Sequence, residues 1–238
     1  MTTTSAPSTT TPSRLALAAS GLYVLVTLVH LVAELTGPAA LEMWTQVAAM
    51  PLLALALWAW TRGPRTRLVR WTLAGLALSW LGDSAPNLVR DSGSLDFLVM
   101  VGFFLLAQVA YVVAFLPHRG RSVARRGTRA WPLPLLGYLA VLVLFLWWCL
   151  PGAGTLAGPV VVYGLVLVGM AVLATGVHGA AALGGALFVL SDGLIALGHF
   201  AEWYSLSWQG FAVMSSYLVA QALLVVGVLA ANGVARRD

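Results

Sequence analysis

The sequence predicts an all-α, polytopic membrane protein of about eight transmembrane helices, and three observations lead there. Of its 238 residues, 60% are hydrophobic and only 9% charged, with a mean hydropathy of +0.90, where soluble domains carry about 25% charged residues. The apolar residues gather in continuous runs of the ~20 residues a helix needs to cross a ~30 Å hydrocarbon core. They do not alternate, as the strands of a membrane barrel would. The arginines fall in clusters between those runs, so that an even number of crossings places nearly all of them on one side.

Taken in order, residues 1–13 (MTTTSAPSTTTPS) are Thr/Ser/Pro-rich without apolar periodicity and read as a disordered tail. No basic segment precedes the first apolar run, and that run is too long for the core of a signal peptide. Residues 14–234 read as one transmembrane helical domain and 235–238 as a short cytoplasmic tail. The expected spans are 15–35, 43–60, 68–88, 96–116, 131–150, 158–176, 180–199 and 210–232. PGAG separates spans 5 and 6. GVHG separates spans 6 and 7 so tightly that they must form a hairpin. Trp44, Trp58, Trp60, Trp71, Trp131, Trp147, Trp148, Trp203 and Trp208 fall at or near span ends, as an aromatic belt places them.

All 13 basic residues are Arg. With eight spans, Arg14, Arg62, Arg65, Arg67, Arg70, Arg119, Arg121, Arg125, Arg126, Arg129, Arg236 and Arg237 share one side, and only Arg90 lies opposite. The positive-inside rule then puts both termini in the cytoplasm, and the expected location is a bacterial-type plasma membrane. The net charge of +5 reflects this topology and gives no reason to expect a nucleic-acid partner. The single cysteine, Cys149, excludes an intrachain disulfide and a cysteine metal cluster and reads as a small core residue.

The most informative residues are Asp83, in LALSWLGDSAPNL, and Asp192, in GALFVLSDGLIAL. A carboxylate at the centre of a membrane helix costs roughly 2.5–3.5 kcal/mol on insertion scales. The two lie 109 positions apart, and the spans after them also match: FLVMVGFFLLAQVAYVV at 97–113 against FAVMSSYLVAQALLVV at 211–226, with one gap. The pattern suggests a parallel four-helix internal repeat, with a site at the repeat interface. At ~1.5 Å per residue, Asp83 lies roughly 22 Å along span 3 and Asp192 roughly 18 Å along span 7, at similar depth. They meet if spans 3 and 7 pack together.

Gln108 and Gln221 lie mid-span in spans 4 and 8, with Tyr111 and Tyr217 on their respective faces; Asn87 follows Asp83 by a turn, and Tyr163 sits in span 6. Taken singly, such Gln, Asn and Tyr residues also serve as interhelical hydrogen-bonding groups. Two close, desolvated carboxyl groups cannot both ionise easily, so the pair would hold one proton at neutral pH and offer a donor beside an acceptor, suited to acid-catalysed addition of water. His30, Asp83, Asp192 and His199 share no short ligand spacing and there is no HExxH, so no metal is expected. His118 and His178 fall in loops and read as solvated. No Gly-rich phosphate loop or G-x-S-x-G occurs, and no cofactor is expected.

The ordered set L-G-D ending span 3, Tyr163 and Met170 in span 6, L-S-D in span 7, and Y-L-x-A-Q from Tyr217 to Gln221 in span 8 resembles the YhhN/TMEM86 lysoplasmalogenase family over residues 40–230. The resemblance implies an eight-span hydrolase that cleaves the vinyl ether bond of a lysophospholipid substrate drawn from membrane lipid, releasing a fatty aldehyde and a glycerophospho-alcohol. It implies Asp83 and Asp192 as the catalytic acid/base pair, with Asn87, Gln108, Tyr111, Tyr163, Tyr217 and Gln221 around the substrate. Two positions depart from the family pattern: Met50-Pro51-Leu52 stands where Lys-Pro-Leu is common, and Gln108 where His is common. These changes bear on the headgroup recognised or on the proton route. The alternatives from other classes are a proton- or cation-coupled transporter using the same aspartates, which would move substrate across proteoliposomes without hydrolysing it, and a non-catalytic assembly factor, indifferent to Asp→Asn changes. The oligomeric state is not legible in the sequence.

Overall fold

The computed structural model describes residues 13–37, 39–61, 63–89, 95–125 and 132–234. Of the tail expected over 1–13, residues 1–12 lie outside the described residues, as do the short tail 235–238, Arg62, Arg90, Arg126, Arg129, Trp131, Arg236 and Arg237; Ser13 is the N-cap of the first helix. Among the described residues, eight long helices follow one another: α1 (Arg14–Thr36), α2 (Ala39–Trp60), α3 (Arg67–Ser84), α4 (Leu95–Phe115), α5 (Leu133–Ala153), α6 (Ala157–Ala174), α7 (Gly179–Phe200) and α8 (Gln209–Val234). Among the described residues there is no strand.

By length and apolarity alone, six helical runs among the described residues can cross a membrane. One of them, Leu133–Ala174, has 42 residues. At 1.5 Å per residue it would be about 63 Å long, twice a hydrocarbon core. It breaks at Gly154, whose φ of +50° lies in the left-handed region, and at a 3-10 turn over Gly154–Leu156. α5 and α6 are therefore two crossings. α3 falls outside the six because Arg67, Arg70 and Asp83 lower its apolarity. It fills the remaining crossing as the most polar helix of the bundle, flanked by α2, α4 and α8. Eight crossings leave the start of α1 and the end of α8 on one side, the terminal side. The α3–α4, α5–α6 and α7–α8 connections lie on the far side.

Span 3 ends earlier than expected. The α-helix stops at Ser84 and continues as a 3-10 segment over Ala85–Leu88. Pro86 has no N–H to give to the Gly82 carbonyl, and its ring disfavours helical geometry at Ala85. Asn87 is thus carried off the helical face of Asp83. A second proline is put to use: Pro51 inside α2 leaves the Val47 carbonyl without its helical donor, and Trp80 of α3 donates its Nε1–H there at 3.1 Å.

Hydrocarbon offers no hydrophobic drive between helices, so close packing and interhelical hydrogen bonds hold the bundle. The tightest pairs are α1/α2, α3/α4 and α7/α8. A Cβ placed on Gly184 of α7 would lie 2.8 Å from the Ala220 carbonyl oxygen, and one on Gly227 of α8 would lie 2.6 Å from the Ala181 nitrogen. Only glycine permits this approach. The expected α6/α7 hairpin is present, turning at 175–178. α8 is the central helix, packed on α1, α2, α3 and α7. Tyr23 of α1 donates to the Leu218 carbonyl at 2.7 Å, and Thr66, the N-cap of α3, donates to the Asn232 Oδ1 at 2.9 Å. α5 is peripheral, touching α6 and α7. The outer face of α1, with Leu22, Leu25 and Leu28, is exposed as a lipid-facing surface should be.

Candidate active site

Asp83 lies at the far-side end of α3 and Asp192 within α7, both buried. By helical rise they sit about 24 Å and about 20 Å from the terminal-side starts of their helices. A carboxyl group at such depth needs protein donors, since leaving it unsatisfied in an apolar medium is costly. Each has a tyrosine. Tyr217 of α8 donates its hydroxyl to Asp83 Oδ2 at 2.8 Å, and Tyr163 of α6 donates to Asp192 Oδ2 at 2.5 Å. Each also has a glutamine nearby: Gln46 of α2 beside Asp83, and Gln108 of α4 beside Asp192. The two arrangements correspond. α2 and α6 supply one neighbour each, while α8 serves the aspartate of the first half and α4 that of the second.

The carboxyl groups lie within electrostatic reach of each other, yet α3 and α7 share no extensive packing. Contact between spans 3 and 7, left open by the sequence, is not what relates the two carboxyl groups. α8 stands between them, tight against α7, and its Tyr217 crosses to Asp83. The Tyr217 ring meets Phe104 and Phe188 edge-on, each at 5.6 Å between centroids, forming an aromatic layer beside Asp83.

Beneath that layer lies a second polar group. Tyr111 donates to Gln221 Oε1 at 2.6 Å, and Gln221 Nε2 donates to Ser79 Oγ at 2.9 Å. Tyr111 therefore pairs across the halves rather than with Gln108 on its own helix. This network is fully buried and bonds α3, α4 and α8 together.

A cavity of about 100 Å³ lies between α4, α5, α6 and α7. Its walls are apolar, with Phe97, Phe104, Phe145, Leu146, Val160 and Val189 among them, and its side-chain polar groups are Asp192 and Tyr163. Leu98 near the start of α4 and Pro159 near the start of α6 are its exposed wall residues, so the mouth lies toward the far side between these helices. Phe104, Leu142, Val168 and Val189 are buried wall residues. Of the residues singled out in the sequence, Asp192 and Tyr163 face the cavity. Gln108 stands beside Asp192. Asp83 lies behind the aromatic layer and is bonded to its Tyr217, Tyr111 and Gln221 belong to the inner network, and Asn87 sits in the 3-10 turn, off the cavity wall. Sequence reasoning did not single out Gln46, an amide inside an apolar span, or Ser79, four residues before Asp83 on the same face. Either feature would have been a usable signal.

The histidines engage elsewhere. His30 is buried, with Nδ1 at 2.9 Å from Thr45 Oγ1 and Nε2 at 3.5 Å from Glu34. His199 stacks on Phe97 at 3.6 Å. His178 accepts from the Ala180 N–H at the start of α7, and His118, expected to be solvated, is half-buried in the 3-10 segment Leu116–Arg121. Among the described residues, no three His, Cys, Asp or Glu side chains gather as metal ligands would. Cys149 is buried in the α5 wall.

Tyr163 fixes one Asp192 oxygen at the wall of an apolar cavity, an arrangement in which a carboxyl group can exchange a proton with a bound ligand.

The YhhN family profile matches residues 41–228. A protein named lysoplasmalogenase from Mycobacterium tuberculosis (strain CDC 1551 / Oshkosh) is 32% identical over 216 residues, covering 88% of this chain and 79% of its own. Lysoplasmalogenase TMEM86B from Rattus norvegicus is 30% identical over 188 residues, covering 79% of this chain and 73% of its own. The Mus musculus protein of the same name is 30% identical over 184 residues, 77% and 74% of the two chains. No solved structure matches. The profile extends over the helices that carry both aspartates, and the chain belongs to the YhhN family.

Proposed function

We propose that this chain is a membrane hydrolase of lysoplasmalogens, opening the vinyl ether bond to release a fatty aldehyde and a glycerophospho-alcohol. The observation that carries the reading is the cavity: a chamber with apolar walls, at membrane depth, whose side-chain polar groups are the Asp192 carboxyl and the Tyr163 hydroxyl. The relatives named lysoplasmalogenase support it. A polar metabolite would find little to bind there, whereas a lipid entering from the bilayer fits.

Along α6, Tyr163 lies four residues inside Pro159, about 6 Å of helical rise. A lysolipid with its phosphate outside the mouth, in the interfacial zone, would bring its first chain carbons to Asp192. Asp192 in its acid form transfers its proton to the β carbon of the vinyl ether, forming a C–H bond and leaving an oxocarbenium ion at the carbon bonded to oxygen. Tyr163, bonded to Oδ2, directs the other oxygen toward the substrate. Asp83, behind Phe104, Phe188 and Tyr217, acts as the second carboxylate and stabilises the cation through the low-dielectric interior. Water adds to the cationic carbon, and its released proton restores Asp192. The hemiacetal then collapses, its hydroxyl proton passing to the departing glycerol oxygen. The arginine-rich terminal side faces the cytoplasm in this proposal, and the mouth faces the opposite leaflet.

Purified protein is given 1-alkenyl, 1-alkyl and 1-acyl lysophospholipids of one headgroup. Fatty aldehyde is expected from the 1-alkenyl lipid alone, because neither of the others has an enol ether carbon to protonate. Absence of aldehyde from the 1-alkenyl lipid would rule the proposal out.

A further inference from the structure

Gln108 is out of keeping with the polar groups around it. It is fully buried, and neither its Nε2 nor its Oε1 has a hydrogen-bond partner from the protein. Its neighbours are satisfied: Asp83 by Tyr217, Asp192 by Tyr163, Gln221 by Tyr111 and Ser79. A helix-bonding glutamine would resemble Gln221. Gln108 stands beside the Asp192 carboxyl without completing a bond of good geometry to it. One helical turn earlier, Phe104 forms part of the cavity wall. An unpartnered amide at this place costs free energy that an apolar residue would not, and such costs collect at functional sites.

We infer that the Gln108 amide holds and orients the water that captures the oxocarbenium ion, an inference that rests on the vinyl ether reading above. The reaction needs one water in a chamber with apolar walls, placed against the cationic carbon and near the carboxylate that receives its proton. An amide supplies an acceptor for one water hydrogen and a donor for its oxygen. Asp192 takes the other hydrogen as the C–O bond forms, so the acid that began the reaction is regenerated. Gln108 exchanges no proton. It is a water-positioning residue, and its loss leaves the protonation step intact.

The test separates protonation from capture. Wild type, Gln108→Leu and Gln108→His are each incubated with 1-alkenyl lysophospholipid in deuterium oxide, and both aldehyde and unreacted lipid are analysed by mass spectrometry. In wild type, capture follows protonation at once, and recovered lipid carries no deuterium. In Gln108→Leu, aldehyde formation is expected to fall about tenfold or more, the loss of a hydrogen bond to a charged transition state. The cation then reverts, placing deuterium at the β carbon of the recovered lipid. Gln108→His, which again offers a hydrogen-bonding nitrogen, is expected within a few-fold of wild type and free of that label. A wild-type rate in Gln108→Leu, or a slow rate without deuterium in recovered lipid, overturns the inference while leaving the hydrolase reading intact. Failure of wild type to make aldehyde overturns both. Should Gln108→Leu not accumulate as folded protein, Gln108→Met, closer in shape, takes its place with the same two readouts.

Discussion

Replacing Tyr163 by Phe removes one oxygen atom and leaves the ring that lines the cavity. The hydroxyl lost is the one 2.5 Å from Asp192 Oδ2, a length at the short end for a hydrogen bond to a carboxylate. Hydrogen bonds to charged groups are worth about 1.5–3 kcal/mol net, and about 1.36 kcal/mol corresponds to a factor of ten in rate. The variant is therefore expected to lose about 10- to 150-fold in kcat/KM. The loss should fall mainly in kcat, since the phenol orients the carboxyl for proton transfer rather than binding the lipid chain. Tyr217→Phe is the matched comparison. It breaks a 2.8 Å bond to Asp83, which does not reach the cavity wall, and should cost less than Tyr163→Phe, because Asp83 keeps its charge through proton transfer and the bond changes little in the transition state. Initial rates of aldehyde release from a 1-alkenyl lysophospholipid measure both variants, with thermal unfolding followed in parallel. A Tyr163→Phe enzyme within twofold of wild type would refute the assignment of Tyr163 as the group that orients the acid.

Three further outcomes are expected. Leu98→Trp narrows the mouth at one of its two exposed wall residues and should raise KM with kcat little changed, as lost uniform binding does; an unchanged KM would place the lipid entrance elsewhere. Gly184→Val forces a side chain against the Ala220 carbonyl and the Leu224 nitrogen and should destabilise the α7/α8 pair by about 1–3 kcal/mol, seen as a lowered unfolding temperature. Wild-type unfolding would show that the helices can part without cost. Asp83→Asn keeps size and removes charge, and a charge acting through the aromatic layer is worth about 1–2 kcal/mol at an effective dielectric near 20. The rate should fall about 5- to 30-fold with the fold intact, and a wild-type rate would remove Asp83 from the chemistry.

Much of this was written in the sequence. Charged residues stand out in apolar runs, so Asp83 and Asp192 could be found without coordinates, and the arginine clusters chose an even number of crossings. Span limits came close because Gly, Pro and Arg punctuate the chain at PGAG, GVHG and TRGPRTR. The early end of α3 was also there to be read, in the position of Pro86. The partner of Asp192 follows from hairpin arithmetic: Tyr163 and Asp192 stand at nearly equal distances from the turn at 175–178, and antiparallel helices bring such residues side by side. Other features had no such signal. Tyr111 bonds to Gln221 rather than to Gln108 because α8 is inserted between α3 and α7, and insertion order is a tertiary fact that periodicity does not encode. The cavity is likewise hidden in sequence. Phe145, Leu146 and Val160 look the same whether they face lipid or a chamber, since both surroundings are apolar.

The most direct test is aldehyde release by wild type and by Asp192→Asn, each purified, each shown to unfold at the same temperature, and each given the same 1-alkenyl lysophospholipid. Asn keeps the shape and can still accept from Tyr163, but it has no proton to give. Steady aldehyde formation by wild type and none above background by the variant is the expected result. Full activity in Asp192→Asn would contradict the central claim that the carboxyl at the cavity wall is the acid.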